Sequence, residues 1–414
     1  MFALADCNNF YASCHRLFEP KFNGVPVVVL SNNDGCVIAR SNEAKACGIS
    51  MGAPFFKIKS EIKEHNIAVF SSHYTLYGDI SARVMTNLAR FTPDVEVYSI
   101  DECFLGLSGF EDLTAYGKQI RDTVIYNTGI PISVGIAPTK VLAKVANKTS
   151  KKHNGVMVLQ TKEQITNALA DYPVEDLWGV GRQFAHKLIK GGIETAAQFR
   201  ALPMDWVQSN MTIVGLRMWR ELWGESCIPL KTVLDPKKGM CTSRAFGKLT
   251  TDYNQLKEAT SSYAARLGVK LRREKLCASV ISVRLLTEKF GHRASQIYPS
   301  ITISLEHPVN NTADLIKTAL FGLKKIYLRG YMFQKVEVTA IGLLPEKEVQ
   351  LNLFSEFKGI RNDKVSKVLD ALNTHYGAGT LRMAGEGKDQ KWKMKREFLS
   401  PSYTTDWNDI IKVK

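Results

Sequence analysis

The sequence lacks the spacings and runs that mark several common classes of protein. Its eight cysteines form no C-x-x-C pair and have no histidine at zinc-site spacing, so structural zinc is not expected. No uncharged apolar run approaches the roughly 18 residues that a membrane span needs. The first residues reach Asp6 without a basic region, which predicts neither a signal peptide nor a membrane anchor. Free thiols in a reducing cytoplasm are expected.

Positive charge is concentrated in one part of the chain. The 414 residues carry a net charge of +15. Residues 1–230 hold 23 lysines and arginines against 22 acids, residues 231–340 hold 19 against 8, and residues 341–414 hold 13 against 10. The length predicts three or four domains of about 100 residues each. A single basic unit favours a polyanionic partner, with nucleic acid ahead of an anionic membrane, although a solvated basic surface without a partner is an alternative.

The first 165 residues alternate strand-like and helix-like patterns, which predicts a mixed α/β region. Strand-like runs cover residues 2–5, 25–30, 95–100 and 132–136. The first of these runs leads directly into Asp6 and the third into Asp101 and Glu102, and residues 103–107 predict a return strand. A sheet holds side chains at strand ends rigidly, so these acids are candidates for a functional site.

Three further regions follow along the chain. Helix-like residues 165–170 and 183–190 flank the turn signal Gly179-Val180-Gly181, and a linker is expected near residues 235–239. A third unit covers residues 240–344, with a helical pattern over 256–274 and alternating patterns over 280–286 and 335–341. The tail after Pro345 is shorter and polar.

Two or three carboxylates on rigid backbone suit a pair of magnesium ions about 3.5 to 4 Å apart, which can promote phosphoryl transfer. Asp6, Asp101 and Glu102 would supply such a set. Adjacent acids also occur at Glu111-Asp112 and Glu175-Asp176, and acids at turns are usually solvated. The acids alone therefore do not decide between a metal site and solvated surface acids.

Longer motifs around the acids resemble one family in their order. These motifs are D-x-N-x-F-Y-A-S from Asp6, S-N-N-D-G-C-V-I-A-R from Ser31, Y-S-I-D-E from Tyr98 and V-G-I-A-P-T-K-x-L-A-K from Val134. Together they are similar to the Y-family of translesion DNA polymerases and, within it, to the UmuC-type catalytic subunits of bacterial polymerase V. The similarity extends to the tail motif from Leu399 to Thr405.

The resemblance implies an α+β multidomain fold shaped like a right hand. Its expected parts are a ferredoxin-like palm (1–18 and 76–165), small fingers (19–75), a helical thumb with a helix-hairpin-helix (166–234), a basic α/β little finger (240–344) and a C-terminal region (345–414). The implied activity is error-prone addition of deoxynucleotides opposite damaged template bases during the SOS response.

Matching positions assign roles to individual residues. Asp6, Asp101, Glu102 and the main-chain carbonyl of Cys7 would hold two Mg²⁺ ions. Tyr11 matches the steric gate, an aromatic ring that leaves no volume for a ribose 2′-hydroxyl; a core aromatic is the alternative. Lys45 and Lys152 match the residues that bind the incoming triphosphate, although lysines on helices usually face water. Lys140 and Lys144, one helical turn apart, would support phosphates or be solvated.

DNA and protein contacts are also implied. Gly179 and Gly181 resemble the hairpin that approaches a DNA phosphate, with an ordinary glycine turn as the alternative. Candidate phosphate contacts in the little finger are Arg244, Lys248, Arg266, Arg272, Arg273 and Arg284. The segment Gln350-Leu351-Asn352-Leu353-Phe354 resembles a sliding-clamp-binding peptide, or else packs on its own tail. A processed UmuD-type dimer and the RecA recombinase are the further partners that the resemblance implies, and no membrane is expected.

The sequence departs from the usual family pattern at two positions after the acid pair, and two other functions would also explain parts of it. Cys103 stands where the family usually has alanine, and Gly106 where it usually has aspartate; neither position binds metal in the family. A non-catalytic DNA-binding accessory subunit, with structural acids, is the rival from another class. A palm-fold nucleotidyl cyclase would share the two-metal site but would not need the basic third unit.

Overall fold

The chain divides into two compact units in the computed structural model, which describes residues 1–233, 235–288, 296–350 and 359–411, without the side chains of 359–362. Of these residues, 1–31, 35–233 and 398–411 form unit 1, and 32–34 and 235–397 form unit 2. The C-terminal region predicted over 345–414 is thus divided between the two units. No helix among the described residues is long and apolar enough to cross a membrane.

Unit 1 contains two sheets. Its strands are β1 (Phe2–Cys7), β2 (Val27–Leu30), β3 (Val37–Arg40), β4 (Ala68–Ser71), β5 (Val95–Val97), β6 (Glu102–Gly106), β7 (Ile132–Ala137) and β8 (Val156–Val158). Five of them form a sheet in the order β5-β6-β1-β7-β8, and three form a sheet in the order β3-β2-β4. The central strand β1 pairs antiparallel with both β6 and β7, and its residues Ala3, Leu4 and Ala5 are fully buried.

Helices pack on both sheets and form a separate helical part. They are α1 (Phe10–Phe18), α2 (Asn42–Ala46), α3 (Lys59–Glu64), α4 (Tyr74–Leu88), α5 (Leu113–Thr128), α6 (Lys140–Ser150), α7 (Lys162–Ala170), α8 (Arg182–Lys190), α9 (Ala196–Arg200) and α10 (Met204–Leu222). One buried cluster joins α1, α4 and α5 to the larger sheet, and another joins α6 to α7–α10. Thr139 caps α6, and the buried Glu221 accepts a hydrogen bond from the Val141 backbone N–H at the same end.

Unit 2 is an antiparallel sheet with helices on one face. Its elements are β9 (Gly239–Thr250), α11 (Tyr253–Arg273), β10 (Leu276–Thr287), β11 (Ser300–Val309), α12 (Thr312–Ile326), β12 (Phe333–Pro345) and α13 (Gly359–Tyr376). The strand order is β11-β10-β12-β9. Alternate residues such as Ile281, Val283, Val336 and Val338 are buried against α11 and α12. The other face of this sheet is not covered by α11 or α12, and we call it the open face.

Candidate active site

The three predicted acids lie together at one end of the larger sheet of unit 1. Asp6 on β1 is directly opposite Glu102 on β6, and the Cys7 N–H donates a 2.9 Å hydrogen bond to the Asp101 carbonyl. The Ser99 hydroxyl donates to Asp101 Oδ1 at 2.6 Å and accepts from the Glu102 N–H at 3.0 Å. Two adjacent strands and a turn bridged by Ser99 therefore hold the acids in position.

Negative charge is crowded at this site, and lysines partly neutralise it. Lys151 Nζ lies 2.5 Å from Asp6 Oδ1, and Lys144 Nζ lies 2.7 Å from Glu102 Oε1. Burial raises the pKa of Asp6, Lys151 lowers it, and the neighbouring Glu102 and Asp101 raise it. Among the described residues, no three His, Cys, Asp or Glu side chains converge as a ready-made ion site. Instead, Lys151 pairs with one carboxylate oxygen of Asp6, and Lys144 pairs with one of Glu102.

Lys140 and Lys144 both point into the protein, so neither is simply solvated. Lys140 is 1% exposed, pairs with Glu96 and donates to the Pro229 carbonyl at 2.9 Å. Lys144 lies over the ring of Tyr98, with its Nζ 4.6 Å from the centroid, and beside the ring of Trp178 at 5.4 Å. Of the two, only Lys144 contacts the acid cluster.

Tyr11 lies on a rigid aromatic platform. Its ring stacks on that of Tyr77, with centroids 4.1 Å apart and planes at 14°. Tyr77 is fully buried, and its hydroxyl is 2.8 Å from Nε2 of the buried His15, whose ring stacks on Phe70 at 3.9 Å. Tyr11 is only half-buried, so part of its side chain remains available for contact.

The predicted triphosphate lysines differ in their surroundings. Lys45 Nζ donates to Asn9 Oδ1 at 2.7 Å and to Asn42 Oδ1 at 3.1 Å. Burial lowers the pKa of Lys45, Arg40 and Lys151 nearby lower it further, and Asp6 opposes them. Lys152 is exposed, and within the described part of the chain its ammonium makes no ion pair or hydrogen bond. Lys151, the residue before it, is the one that reaches Asp6.

The structure requires glycine at one of the two predicted hairpin positions, Gly179, but not at Gly181. Gly179 has φ of +104°, and an added Cβ would lie 3.1 Å from Met218 Sδ, so a side chain is disfavoured on both counts. Gly181 precedes α8, and nothing lies within 4 Å of the position that its Cβ would take. The N-terminus of α8 is therefore open to a phosphate.

The basic residues predicted to contact DNA in unit 2 do not share one surface. Arg284 alternates with the buried Val283 and Leu285, so it lies on the open face, 3.8 Å from Glu337. Arg244 pairs with the buried Val336 and so belongs to the face that α11 covers.

The remaining candidates lie on α11 or at the end of β9. Arg266, Arg272 and Arg273 are on α11, and Lys248 is exposed on β9. Arg272 donates to both oxygens of Asp370, at 2.7 and 2.8 Å, and to the Asn310 carbonyl at 2.5 Å. Two of these three hydrogen bonds therefore hold α13 against α11.

The predicted clamp peptide falls largely outside the described residues. Gln350 is described and exposed, whereas Leu351, Leu353 and Phe354 are not among the described positions.

Of the two departures from the family pattern, Gly106 and Cys103, the first has a clear structural cause. A Cβ there would lie 2.8 Å from Asp94 Cβ and 3.1 Å from Leu230, so the backbone packs too closely for aspartate. Cys103 is fully buried, and burial raises the pKa of its thiol to about 12.

Sequence reasoning missed four contributors to the site. They are Lys151, Ser99, Tyr77 and His15. Lys151 directly precedes the predicted Lys152, and Ser99 belongs to the Y-S-I-D-E motif, so the sequence motifs could have indicated both. Tyr77 and His15 meet Tyr11 only through tertiary packing, which no local pattern reports.

Comparisons with known proteins agree with this architecture. A sequence model of the impB/mucB/samB family matches residues 5–148, and one of that family's C-terminal domain matches residues 237–353. A domain of unknown function, DUF4113, matches residues 363–413. The chain is 43% identical to protein UmuC and 41% identical to protein SamB of Salmonella typhimurium, over the full length of each pair. It is 26% identical to DNA polymerase IV 1 of Bacillus subtilis, over 97% of this chain and 96% of the other.

Solved structures show the same fold. A Y-family DNA polymerase chimera of Dbh and Dpo4 superposes with a TM-score of 0.67 at 19% identity, covering 83% of this chain and 99% of the other. An insertion ternary complex of Dbh DNA polymerase gives 0.55 at 19% identity, over 82% and 98%. The predicted α+β multidomain polymerase fold is confirmed. This chain belongs to the impB/mucB/samB family, the UmuC-type members of the Y-family DNA polymerases.

Proposed function

We propose that the protein is an error-prone, template-directed DNA polymerase of the SOS response, which adds deoxynucleotides opposite damaged template bases. The observation that carries the proposal is the acid cluster of Asp6, Asp101 and Glu102, held at adjacent strand ends beside Lys144 and Lys151. Full-length similarity to UmuC and SamB supports it.

The acid cluster suits magnesium. All of its side-chain donors are carboxylate oxygens, which Mg²⁺ prefers, and burial, followed by the neighbouring Glu102 and Asp101, raises the pKa of Asp6, so a bound cation would favour its charged form. Asp6, Asp101, Glu102 and the Cys7 carbonyl would hold two ions. When bound, such ions promote attack on the nucleotide phosphate and stabilise the leaving oxygen.

The chain's own residues would bind and orient the nucleotide. Lys45, Lys151 and Lys152 supply positive charge for the triphosphate, and Ser99 orients Asp101. The exposed part of Tyr11, whose ring stacks on the buried Tyr77, would exclude a 2′-hydroxyl because the packed pair resists displacement. Deoxynucleotides are therefore the preferred substrates.

Template and primer would be held by contacts that do not read sequence. The backbone at Gly179 and Gly181 and the N-terminus of α8 would bind one phosphate. In unit 2 the open face offers Arg284 and Lys335 together with the exposed residues Ser300 and Thr302. We place the duplex on this open face. Among the predicted phosphate contacts there, Arg284 is the best placed.

Primer extension by site variants tests the activity. With the partner dimer and RecA supplied, Asp101→Ala and Glu102→Ala should each reduce extension on an abasic template at least about a hundredfold while duplex binding persists. The matched control is Glu111→Ala, at an exposed acid outside the cluster. Full extension by either cluster variant would remove the acids from catalysis and favour an accessory subunit.

Several partners and conditions belong to the same proposal. Gln350, Leu351, Leu353 and Phe354 would bind the sliding clamp, so Leu353→Ala with Phe354→Ala should abolish clamp capture and leave unstimulated extension unchanged. Clamp capture that survives in this variant would refute the clamp-binding role.

A processed UmuD-type dimer and RecA are proposed as activators, tested by omitting each from the extension assay. All eight cysteines are free thiols, which suits the reducing cytoplasm that we propose.

A further inference from the structure

A groove lies between α11 and the segment that follows α13, entirely within unit 2. It encloses a cavity of about 750 Å³. One wall is the outer side of α11, and the other is formed by the end of α13 and residues 377–393. Because α11 covers the face opposite to the open face, this groove is separate from the surface on which we place the duplex. We call it the α11–α13 groove.

Positive charge lines the α11–α13 groove in excess. Arg266, Lys270, Arg273, Arg382 and Lys393 contribute side chains to it. Within the described residues, the side chains of Arg266, Arg273 and Lys393 have no ion-pair partner. Burial lowers the pKa of Arg266, Arg244 and Arg382 nearby lower it further, and Tyr263 and Glu386 oppose them, so like charges are close together here.

The two acids of the groove are already engaged. Asp370 accepts two hydrogen bonds from Arg272. Glu386 is 8% exposed and accepts from the Met383 N–H at 3.0 Å. Glu386 also lies close enough to Arg266 and Arg382 to offset part of their charge, but two acids cannot neutralise five cations, so an external anion would find complementary charge.

The groove is held in place by packing beneath it. Trp392 is buried, with its ring centroid 5.5 Å from that of Tyr263 on α11. Asn373 and Leu381 exchange two hydrogen bonds of 2.9 Å, which fix the loop to the end of α13. A ligand would meet a wall that is already formed, so little ordering is required on binding.

The apolar residues of the groove indicate what kind of anion fits. Val269, Leu369 and Leu381 line it, and Leu381 is 46% exposed. Among the described lining residues none is aromatic, whereas single-stranded nucleic acid is usually held by stacking on aromatic rings. We propose that the α11–α13 groove binds an acidic peptide segment of a partner protein, with aliphatic side chains against Val269, Leu369 and Leu381 and carboxylates against the basic rim.

Fluorescence anisotropy with the full chain tests this site independently of polymerase activity. The probe is a labelled synthetic peptide of glutamates and leucines at helical spacing, and its glutamine counterpart is the ligand control. Arg382→Ala with Lys393→Ala should weaken binding of the glutamate peptide about tenfold, since two charge contacts are lost. Lys317→Ala with Lys324→Ala, two exposed lysines of α12 outside the groove, removes equal charge and should leave binding unchanged.

Three results would overturn the proposal. They are equal binding of the glutamate and glutamine peptides, equal weakening by both double variants, and a groove variant that weakens a single-stranded oligonucleotide as much as the peptide. The last would assign the groove to nucleic acid. If the groove variant does not fold, acylation of the wild-type chain decides the question: the glutamate peptide should protect Lys270 and Lys393 but not Lys317.

Discussion

At the scale of single residues, Tyr11 has the clearest consequence for substrate choice. Its ring rests on Tyr77, whose hydroxyl is bound to His15, so three layers of side chains fix its position. Tyr11→Ala should increase ribonucleotide incorporation at least about tenfold, because the volume beneath the sugar opens. Competitive incorporation of ribo- and deoxynucleotides measures this. Tyr126→Ala, at a side chain that is 90% exposed, is the control, and an unchanged sugar preference in Tyr11→Ala would exclude the gate role.

His15 makes stability depend on pH. Burial, and secondarily His73, lowers the pKa of this fully buried imidazole to about 3. In the unfolded chain His15 has an ordinary pKa near 6.5 and is protonated below that pH, whereas in the folded chain it stays neutral. The stability of the fold therefore falls as the pH drops below about 6.5. Between pH 7 and pH 5 the loss from this residue should be about 2 kcal/mol.

Urea unfolding at the two pH values isolates the effect of His15. His15→Gln, which can still hydrogen-bond the Tyr77 hydroxyl, should lose about 2 kcal/mol less than the wild type on going from pH 7 to pH 5. His65→Gln, at an exposed histidine, should behave like the wild type. The same pH dependence in the His15 variant would show that the imidazole is not held neutral.

How far single residues can be predicted depends on whether a motif contains them. The order of the motifs selected Asp6, Asp101 and Glu102, and the structure brings these three together. The motifs also predicted that Lys152 binds the triphosphate, which stays a prediction; in the turn after α6, Lys151 contacts Asp6 and Lys152 is exposed. Both lysines follow the end of α6 at Ser150, and the sequence pattern does not show which of two neighbouring side chains in such a turn points towards Asp6.

At the scale of elements, the strand before the acid pair was predicted too long. The apolar pattern covers residues 95–100, but β5 ends at Val97. The N–H groups of Tyr98 and Ser99 both donate to the Glu102 carbonyl, and this turn replaces the end of the strand. The predicted helices over 165–170 and 183–190 and the strand over 280–286 lie within observed elements, and the helix predicted over 256–274 passes the end of α11 by one residue, because their periodic patterns match buried faces.

The meeting of β1 and β6 predicts a response to divalent cations. Asp6→Asn removes a buried charge and an ion pair with Lys151, effects that oppose each other, so stability without cation should change by only about 1 kcal/mol. If the acid cluster binds magnesium as proposed, added Mg²⁺ should raise the melting temperature of the wild type, because an ion that binds only the folded chain stabilises it. In Asp6→Asn most of this rise should be lost, whereas Glu111→Gln should retain it. A full rise in the Asp6 variant would place the cation elsewhere.

At the scale of the whole molecule, composition correctly located the basic unit but not its surfaces. The net charge over residues 231–340 is +11, and the described basic residues of unit 2 include side chains on both faces of its sheet. Strand alternation and the packing of α11 decide which face each arginine takes, and Arg244 and Arg284 thereby lie on opposite faces. The net charge of the unit therefore does not separate its two proposed binding surfaces, the open face for a duplex and the α11–α13 groove for a peptide.

The salt dependence of DNA binding distinguishes these two surfaces. Each phosphate neutralised by the protein contributes about 0.9 to the slope of log affinity against log salt concentration, because condensed counterions are released. Arg284→Ala with Lys335→Ala should therefore lower the slope for duplex binding by about 2. Arg382→Ala with Lys393→Ala should leave it unchanged, although this variant removes the same charge. Binding titrations over a series of salt concentrations measure the slopes, and a larger decrease in the groove variant would move the duplex to the α11–α13 side of unit 2.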